Sequence, residues 1–396
     1  MTPSASKTRR LAALALFGVA AVGPIGYPLW LAYKTRHLED PKPPEPSEWP
    51  GVSVIIPAYR EREVIAAKVE NTLQNGYPGP IEAIVIAEDK ETANAARETP
   101  ARVLGEGRRL GKAGALNNGV RAAKMPIVIF TDANAMVESG GFEKLVRWLD
   151  DSSVGAAVGE KGIATTGGES FYWAFESWLK RRENRTGTTI GATGELAALR
   201  RDEYAELPEN LAVDDLWLAL DIMERGDRIV YEPGARVSED EYPSTGAEWE
   251  RRTRIVAGAN DVLWRRRRLL VPRNSPIAGQ LWGHRLVRQS FGPMAHAGLV
   301  LIALGSMRKS RLARGFLALH AFGAYSLVRQ HRARSSGRFG HLAAQVLFLQ
   351  AVGIGGTFRW ACGDRPALWP KPERVLRECD DSEVLSGRSS SELAAS

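Results

Sequence analysis

Cysteine is nearly absent. Two stand among 396 residues, Cys362 and Cys379, too few for a disulfide framework and no guide to compartment. The six histidines gather in no ligand pattern, which argues against a His-based metal site. Zinc spacings, RNA-binding motifs and a continuous basic tail are also missing. The net charge of +7 therefore does not read as a nucleic-acid footprint. The arginines instead cluster beside tryptophans and apolar runs, as at a membrane surface. Two nucleotide fingerprints fail as well. Lys112 is followed by Ala113 rather than Ser or Thr, at the wrong distance from Gly107 for a P-loop. Gly105, Gly107 and Gly111 do not form a dinucleotide fingerprint, which removes an NAD oxidoreductase.

Long apolar runs are present at both ends. Lys7, Arg9 and Arg10 precede Leu11–Tyr33, 23 residues without charge, and Lys34 and Arg36 close the far side. A membrane-spanning helix needs roughly 20 such residues. Leu11–Val22 also resembles the apolar part of a signal peptide, but apolar character continues through Ile25, Leu29, Trp30 and Leu31. Residues 1–38 are read as an uncleaved anchor, and Gly18, Gly23, Pro24, Gly26 and Pro28 argue against a straight helix. Residues 39–50 form a proline-rich linker. Near the other end, Phe291–Met307, Leu312–Val328 and Phe339–Phe358 are apolar runs separated by RKSR and RQHRARSSGR. Residues 291–361 are read as C-terminal membrane helices, spanning or re-entrant, and 362–396 as a polar, partly disordered tail. The expected location is a cell (inner) membrane, multi-pass, with residues 51–290 as a cytoplasmic catalytic domain. The N-terminal basic residues then lie outside, against the positive-inside tendency.

Between these ends strand and helix patterns alternate. Val52–Ile56, Ile81–Ala87 and the run from Ile127 read as strands, Glu61–Gln74 and Ala113–Ala123 as helices. This βαβα order predicts an α/β fold with a doubly wound, mostly parallel, Rossmann-like sheet. Internal repeats are not evident. Ile127–Ala135, IVIFTDANA, organises the rest. Its apolar half suits a strand buried on both faces, and alternation points Asp132 and Asn134 the same way around small Ala133. Two oxygen ligands there suit Mg²⁺ or Mn²⁺ carrying a diphosphate, at the sheet edge where such folds bind ligands. A strand followed by a plain Asp/Asn turn is the alternative.

Two Trp/Arg-rich stretches are amphipathic. Trp264–Val271 is expected at a membrane interface. Phe171–Arg185, with Phe171, Phe175, Trp178 and Leu179 on one face, is either interfacial or a core helix with a basic outside. Asn184-Arg185-Thr186 matches a glycosylation triplet and is read as chance.

PAYRERE (57–63), Glu88-Asp89, GKAGALNNG (111–119) and FTDANA (130–135) follow one another in this order. Together they resemble the donor-binding half of processive-type family 2 glycosyltransferases, kin to hyaluronan and cellulose synthases. Gly191-Ala192-Thr193-Gly194-Glu195 with Ala197–Arg201 resembles that family's acceptor-side segment, and Val213-Asp214-Asp215-Leu216 its acidic base motif. Glu224–Ile229 followed by Tyr231-Glu232-Pro233 resembles the next strand, and Arg251–Ile255 falls where the family places Gln-x-x-Arg-Trp. The resemblance spans about Val52 to Gly258. Two positions depart from it: Asn134 replaces a charged metal ligand, and Arg251 and Ile255 replace the family's Gln and Trp.

The resemblance implies a glycosyltransferase A-type fold and a membrane-bound, inverting, metal-assisted sugar transferase. Asp215 is then the general base with Asp214 beside it, and Asp132 and Asn134 hold the divalent cation. Pro57, Tyr59, Glu61, Asp89, Lys112, Asn117, Asp132 and Arg254 face the donor, and Gly194, Glu195 and Arg251 the acceptor. The implied partners are a nucleotide-diphosphate sugar, UDP-linked by preference, a polysaccharide or lipid-linked acceptor, and membrane lipids. For Asp214 and Asp215 the plain alternative is a pair of acids at a helix start. Two rival functions are a nucleotidyltransferase and a non-catalytic membrane scaffold that kept the fold. The first wants a Gly-rich basic loop after the first strand, where this chain has Ala58-Tyr59-Arg60-Glu61.

Overall fold

Val54 and Ile56 point to one face of the first strand and Ile55 to the other, and all three are fully buried. A strand apolar on both sides must lie inside a sheet covered on both faces. The computed structural model describes residues 3–105, 107, 109–162, 168–191, 194–239, 245–331 and 337–364. In it, that strand is β1 (Val52–Ala58), paired on one edge with β2 (Ile81–Ala87) and on the other with β4 (Ile127–Thr131). With β3 (Arg102–Leu104), β5 (Ala135–Val137), β6 (Val154–Lys161), β7 (Leu196–Arg200) and β8 (Arg228–Glu239), it forms an eight-stranded sheet ordered β3-β2-β1-β4-β7-β6-β8-β5.

The expected parallel half is there: β1 to β4 run parallel to one another wherever they pair. The other half is mixed, with β7 antiparallel to both β4 and β6 and β5 antiparallel to β8. Strand order reverses between β1 and β4, and a crevice opens at such a switch point. Pro57 helps it open. The β1–β4 ladder ends at Ile55–Phe130, so a residue without an N–H costs no pairing with β4 beyond that point.

The helices, in chain order, are α1 (Pro3–Ala21), α2 (Tyr27–Lys34), α3 (Ile65–Leu73), α4 (Lys90–Arg97), α5 (Gly111–Ala122), α6 (Gly141–Val146), α7 (Gly168–Arg185), α8 (Asp214–Glu224), α9 (Thr245–Arg265), the single turn α10 (Ala278–Gln280), α11 (Gly292–Leu304), α12 (Arg311–His331) and α13 (Gly337–Ala361). The first α/β helix starts at Ile65 rather than Glu61. Arg60 takes a left-handed φ of 55° and the Glu61 carbonyl closes a turn onto Val64 and Ile65, so the chain reverses before it coils. On one face of the sheet Ile55, Leu116, Phe130 and Leu216 join one core; Val54, Ile56, Val69 and Phe142 join the other.

Helix α5 lies on β1 at Gly119, where an added Cβ would stand 2.3 Å from Ile55 Cγ2. Overpacking of this kind costs about 1–3 kcal/mol, more than alanine's helix-propensity advantage of about 1 kcal/mol. Gly119→Ala is therefore expected to lower the thermal midpoint of the purified protein, and an unchanged or higher midpoint would contradict this packing.

Among the described residues, two helical stretches are long and apolar enough to cross a membrane: Lys7–Lys34 and Gly337–Ala361. The other two apolar runs, now α11 and α12, fall short in length or apolar character. The N-terminal stretch is not one straight α-helix. Val22–Gly26, around Pro24, is π-helical, as expected where a proline removes a backbone donor. Helix α7 is neither free nor merely interfacial. Leu179 packs with Tyr27 and Leu31 of α2, while Arg182 and Arg185 bond Thr35 and Asp40. The side chain of Phe171 and the tail beyond Asp364 lie outside the described residues.

Candidate functional site

Parallel strands β1, β2 and β4 deliver their carboxyl ends to one edge, and antiparallel β7 delivers its start there too. The Thr131–Leu196 pairing sets Glu195 and Gly194 beside Asp132. Beneath the β4 end lies Lys68 of α3, with no exposed surface. Its ammonium donates to Thr131 Oγ1 at 2.9 Å and to the Ala135 carbonyl, bracketing the turn that carries Asp132 and Asn134. Burial pulls Lys68 down to about 7 against the opposing pull of Asp132.

Lys112, in the first turn of α5, is the junction of the site. Its Nζ lies 2.6 Å from Asp132 Oδ1 and 3.9 Å from Asp214 Oδ2, and donates to the Gly194 carbonyl at 3.0 Å. Burial disfavours the charge, but Asp132 and Asp214, with Glu195 behind them, outweigh it and raise Lys112 above the usual lysine range. Gly194 has no room to grow: a Cβ would stand 3.2 Å from Lys112 Nζ and 3.6 Å from Asp215 Cβ. Four segments far apart in sequence thus meet within one or two contacts of a single ammonium.

Asp214 and Asp215 open α8 behind the cap residue Val213, where acids also suit the helix dipole. Asp215 Oδ1 accepts the Leu216 N–H at 2.8 Å. An apolar cavity bounded by Leu116, Phe130, Val158 and Ile229 reaches both acids. Burial first, and the negative charge of Asp214 second, push Asp215 up to about 6 against the pull of Arg285 and Lys112. A carboxylate so placed is ionised at neutral pH yet basic enough to take a proton. Glu195 lies 3.5 Å from Lys161 Nζ; burial opposes its charge, but Lys161 and Lys112 hold it below the usual carboxylate range.

A second cluster is built from the ends of β1 and β2. The Tyr59 ring carries the Arg109 guanidinium at 4.2 Å and that of Arg60 at 5.4 Å. Asp89 caps α4 by accepting the Thr92 N–H at 2.9 Å, and accepts the Arg60 N–H at 2.6 Å. These amides overcome burial and hold Asp89 below the usual range. Glu88 accepts the Leu110 N–H at 2.9 Å, tying the β2 end to the turn before Lys112.

Other residues expected at the site are placed differently. Asn117 is turned away from it. Its amide bonds both backbone groups of Leu207 and accepts from Tyr204 at 2.6 Å, so it joins α5 to the chain ahead of α8. Glu61 is buried at the β1 exit, its N–H bonded to Thr92 Oγ1 at 2.9 Å. Arg251 pairs with Glu248 at 2.9 Å along α9, and its charge also helps hold Glu195 down. Arg254 donates to the Ala212 carbonyl at 2.9 Å, bracing the approach to Asp214. Asn184 is buried and bonds both backbone groups of Tyr231, so the glycosylation triplet is structural.

A divalent ion fits the donor chemistry at the β4 end. Asp132 and Asn134 offer hard oxygens, and Lys112 already sets a positive charge on Asp132 at 2.6 Å. Among the described residues no three His, Cys, Asp or Glu gather to hold an ion by themselves. An ion there would complete its shell with donor phosphates and water, as Mg²⁺ commonly does.

Residues 53–207 match the family model described as Glycosyl transferase family 2. An N-acetylglucosaminyltransferase of Rhizobium sp. (strain N33) is 24% identical over 217 residues, 47% of this chain and 48% of that protein. The poly-beta-1,6-N-acetyl-D-glucosamine synthase of Staphylococcus aureus (strain COL) is 24% identical over 237 residues, 55% of this chain and 57% of that one. The chain thus spans about half the length of these curated relatives. The solved mannosyltransferase PcManGT from Pyrobaculum calidifontis, in complex with GDP-Man and Mn²⁺, superposes with a TM-score of 0.71 at 24% identity, over 89% of this chain and 99% of that one. That likeness establishes the fold.

Proposed function

Starting from residues 53–207 as a glycosyltransferase family 2 domain, we propose that the protein moves a sugar from a nucleoside-diphosphate sugar to an acceptor hydroxyl, inverting the anomeric carbon. The observation that carries this is the convergence of Asp132, Gly194 and Asp214 on Lys112, with Asp215 beside it. Such a transfer needs a base for the hydroxyl proton and positive charge for the departing diphosphate.

Asp215 takes the proton as the acceptor oxygen attacks C1 and the bond from C1 to the diphosphate breaks. Asp214 and the Leu216 N–H orient it. Lys112 meets the charge that develops on the leaving phosphate, and Tyr59, Arg109 and Asp89 hold the nucleoside. Asp132 and Asn134 would hold a divalent cation, which would supply further positive charge to the leaving group. The named activities of the relatives favour N-acetylglucosamine as the sugar moved and a polysaccharide as the product. Lys7–Lys34 and Gly337–Ala361 hold the protein in a membrane. Exposed Trp264, with the Arg267 guanidinium over its ring, and exposed Trp282 face lipid headgroups.

The test is release of nucleoside diphosphate from UDP-, GDP- and dTDP-sugars by membranes containing the overexpressed protein, with Mn²⁺ or Mg²⁺ and an empty-vector control. Turnover of one donor, abolished by EDTA, is expected. Binding of a donor without turnover would favour the scaffold; no binding of any donor would remove the site built on Asp132.

The pH profile gives a second test. The base must be ionised, so its raised value moves the acid limb of kcat/KM upward. Activity is expected to fall through about pH 6, not near 4, where an ordinary aspartate titrates (about 3.9). Asp214→Asn removes the neighbouring charge and should move that limb to lower pH; a limb that stays put would show that Asp215 does not set it.

A further inference from the structure

Glu183 of α7 is fully buried and fully committed. Its Oε1 accepts from the Tyr27 hydroxyl at 2.6 Å and lies 2.6 Å from His284 Nδ1. Its Oε2 accepts from Thr189 Oγ1 at 3.0 Å and from the Ile190 N–H at 3.2 Å. One carboxylate thus ties three elements: the membrane anchor, the π-helical segment Leu281–Phe291, and the loop that leads to Gly194. His284, also without exposed surface, reaches Glu176 with its other nitrogen at 3.1 Å, and Arg288 meets the same Glu176 at 2.5 Å.

The packing around this knot leaves little slack. Gly283 seats on the Tyr27 ring so closely that a Cβ would stand 2.3 Å from Tyr27 Cδ2, and a Cβ on Gly23 would stand 2.6 Å from Arg288 Cα. Two π-helical turns, one in the anchor and one ahead of α11, therefore pack backbone to backbone. π-Helical turns tend to occur at functional sites. The clamped loop is gripped from its other side too, by Arg285 on the Ile190 carbonyl at 3.3 Å and by Gln280 on the Thr188 carbonyl at 3.1 Å.

We infer that Glu183, held by His284 and by Tyr27 of the anchor, is a positioning residue: it sets the Thr189–Gly191 loop, and through it the acceptor side of the site at Gly194. Glu183 touches no reacting group. Its charge is stabilised although burial opposes it, because His284, Tyr27 and Thr189 outweigh burial. The anchor is then part of the site's construction as well as its attachment to lipid. This inference rests on the proposed transfer reaction for its consequence, but not for its first measurement.

That measurement is amide exchange in the full chain, comparing the wild type with Tyr27→Phe and Glu183→Gln. Tyr27→Phe deletes one hydroxyl, keeps the ring on Gly283 and lies two contacts from Ile190. Loss of a hydrogen bond to a buried charge should speed exchange at Ile190 and Gly191 by roughly tenfold or more, while α8 amides keep their protection. Unchanged exchange at Ile190 in Tyr27→Phe would overturn the inference, whether or not the protein is a transferase. So would loss of protection spread evenly over the fold, which marks a merely structural bond.

The second arm uses the donor found by the release assay. Transfer to acceptor should fall while donor affinity and acceptor-free donor hydrolysis stay at wild-type values. Parallel loss of transfer and hydrolysis would overturn the positioning role. A wild type that turns over no donor would instead sink the reaction, leaving the exchange result to decide the strut.

Discussion

Asp215→Asn is expected to reduce transfer by about 10³-fold, within the range that general base catalysis contributes, with donor affinity unchanged. Asparagine keeps the shape and can still accept the Leu216 N–H that Asp215 accepts at 2.8 Å, so the start of α8 survives. What it cannot do is take the acceptor proton. Stability should move the other way. Burial and Asp214 raise Asp215 in the folded protein, so above about pH 6 its ionised form costs stability that the neutral amide does not. The variant should melt higher than wild type at pH 7 to 8, the usual mark of a site strained for chemistry. A rate within tenfold of wild type would place the base elsewhere. A lower melting temperature would mean that the acid pair is there for the helix start.

Much of this arrangement was legible because it is local. An apolar run ending in Thr131-Asp132-Ala133-Asn134 specifies both a buried strand and what stands at its end. Parallel order then carries Tyr59, Asp89 and Asp132 to one edge without further information. Gly111–Gly119 announced a helix start near anions, and Lys112 sits there. The acid pair was visible as a motif, though only the fold shows that Asp214 reaches Lys112 while Asp215 meets an apolar cavity.

The rest depends on contacts between distant segments. Asn117 read as a donor ligand through its place in the GKAGALNNG motif, but five residues after Lys112 it faces Leu207 on the other side of α5. Arg251 read as an acceptor contact through its place in a motif; the motif did not announce that Glu248 one turn earlier pairs with it. Lys68 left no signal at all: a lysine in the polar-looking stretch EREVIAAKVEN is expected in solvent, and its burial under the Asp132 turn follows from how α3 crosses β4. Tyr27, Glu183 and His284 are likewise unremarkable in sequence, since one lies in a long apolar run, one in a basic helix and one among scattered histidines. The antiparallel placement of β7 was also hidden. Nothing local in Leu196–Arg200 distinguishes a strand that returns antiparallel from one that continues the parallel series.

Lys112→Met should be nearly as damaging as loss of the base, for a different reason. Methionine matches the length of the stem but removes the charge that meets Asp132 at 2.6 Å and Asp214 at 3.9 Å. Loss of one preorganised donor to a developing anion typically costs about 10²–10³-fold, and kcat/KM is expected to fall by that much. The same charge also bears on the base. Lys112 helps hold Asp215 down, so without it two carboxylates at the start of α8 face each other with less compensation, and the acid limb of kcat/KM should move to higher pH. Asp214→Asn is expected to move the limb the opposite way, which makes the pair a sign test rather than a comparison of losses. If Lys112 only braced the Gly194 carbonyl, Lys112→Met would lower activity and melting temperature together and leave the limb in place. Lys112→Arg separates the two roles again: it keeps the charge, and so the limb, but a planar guanidinium cannot reproduce three contacts made by one ammonium. Rate should therefore fall in the arginine variant while its pH dependence stays that of wild type.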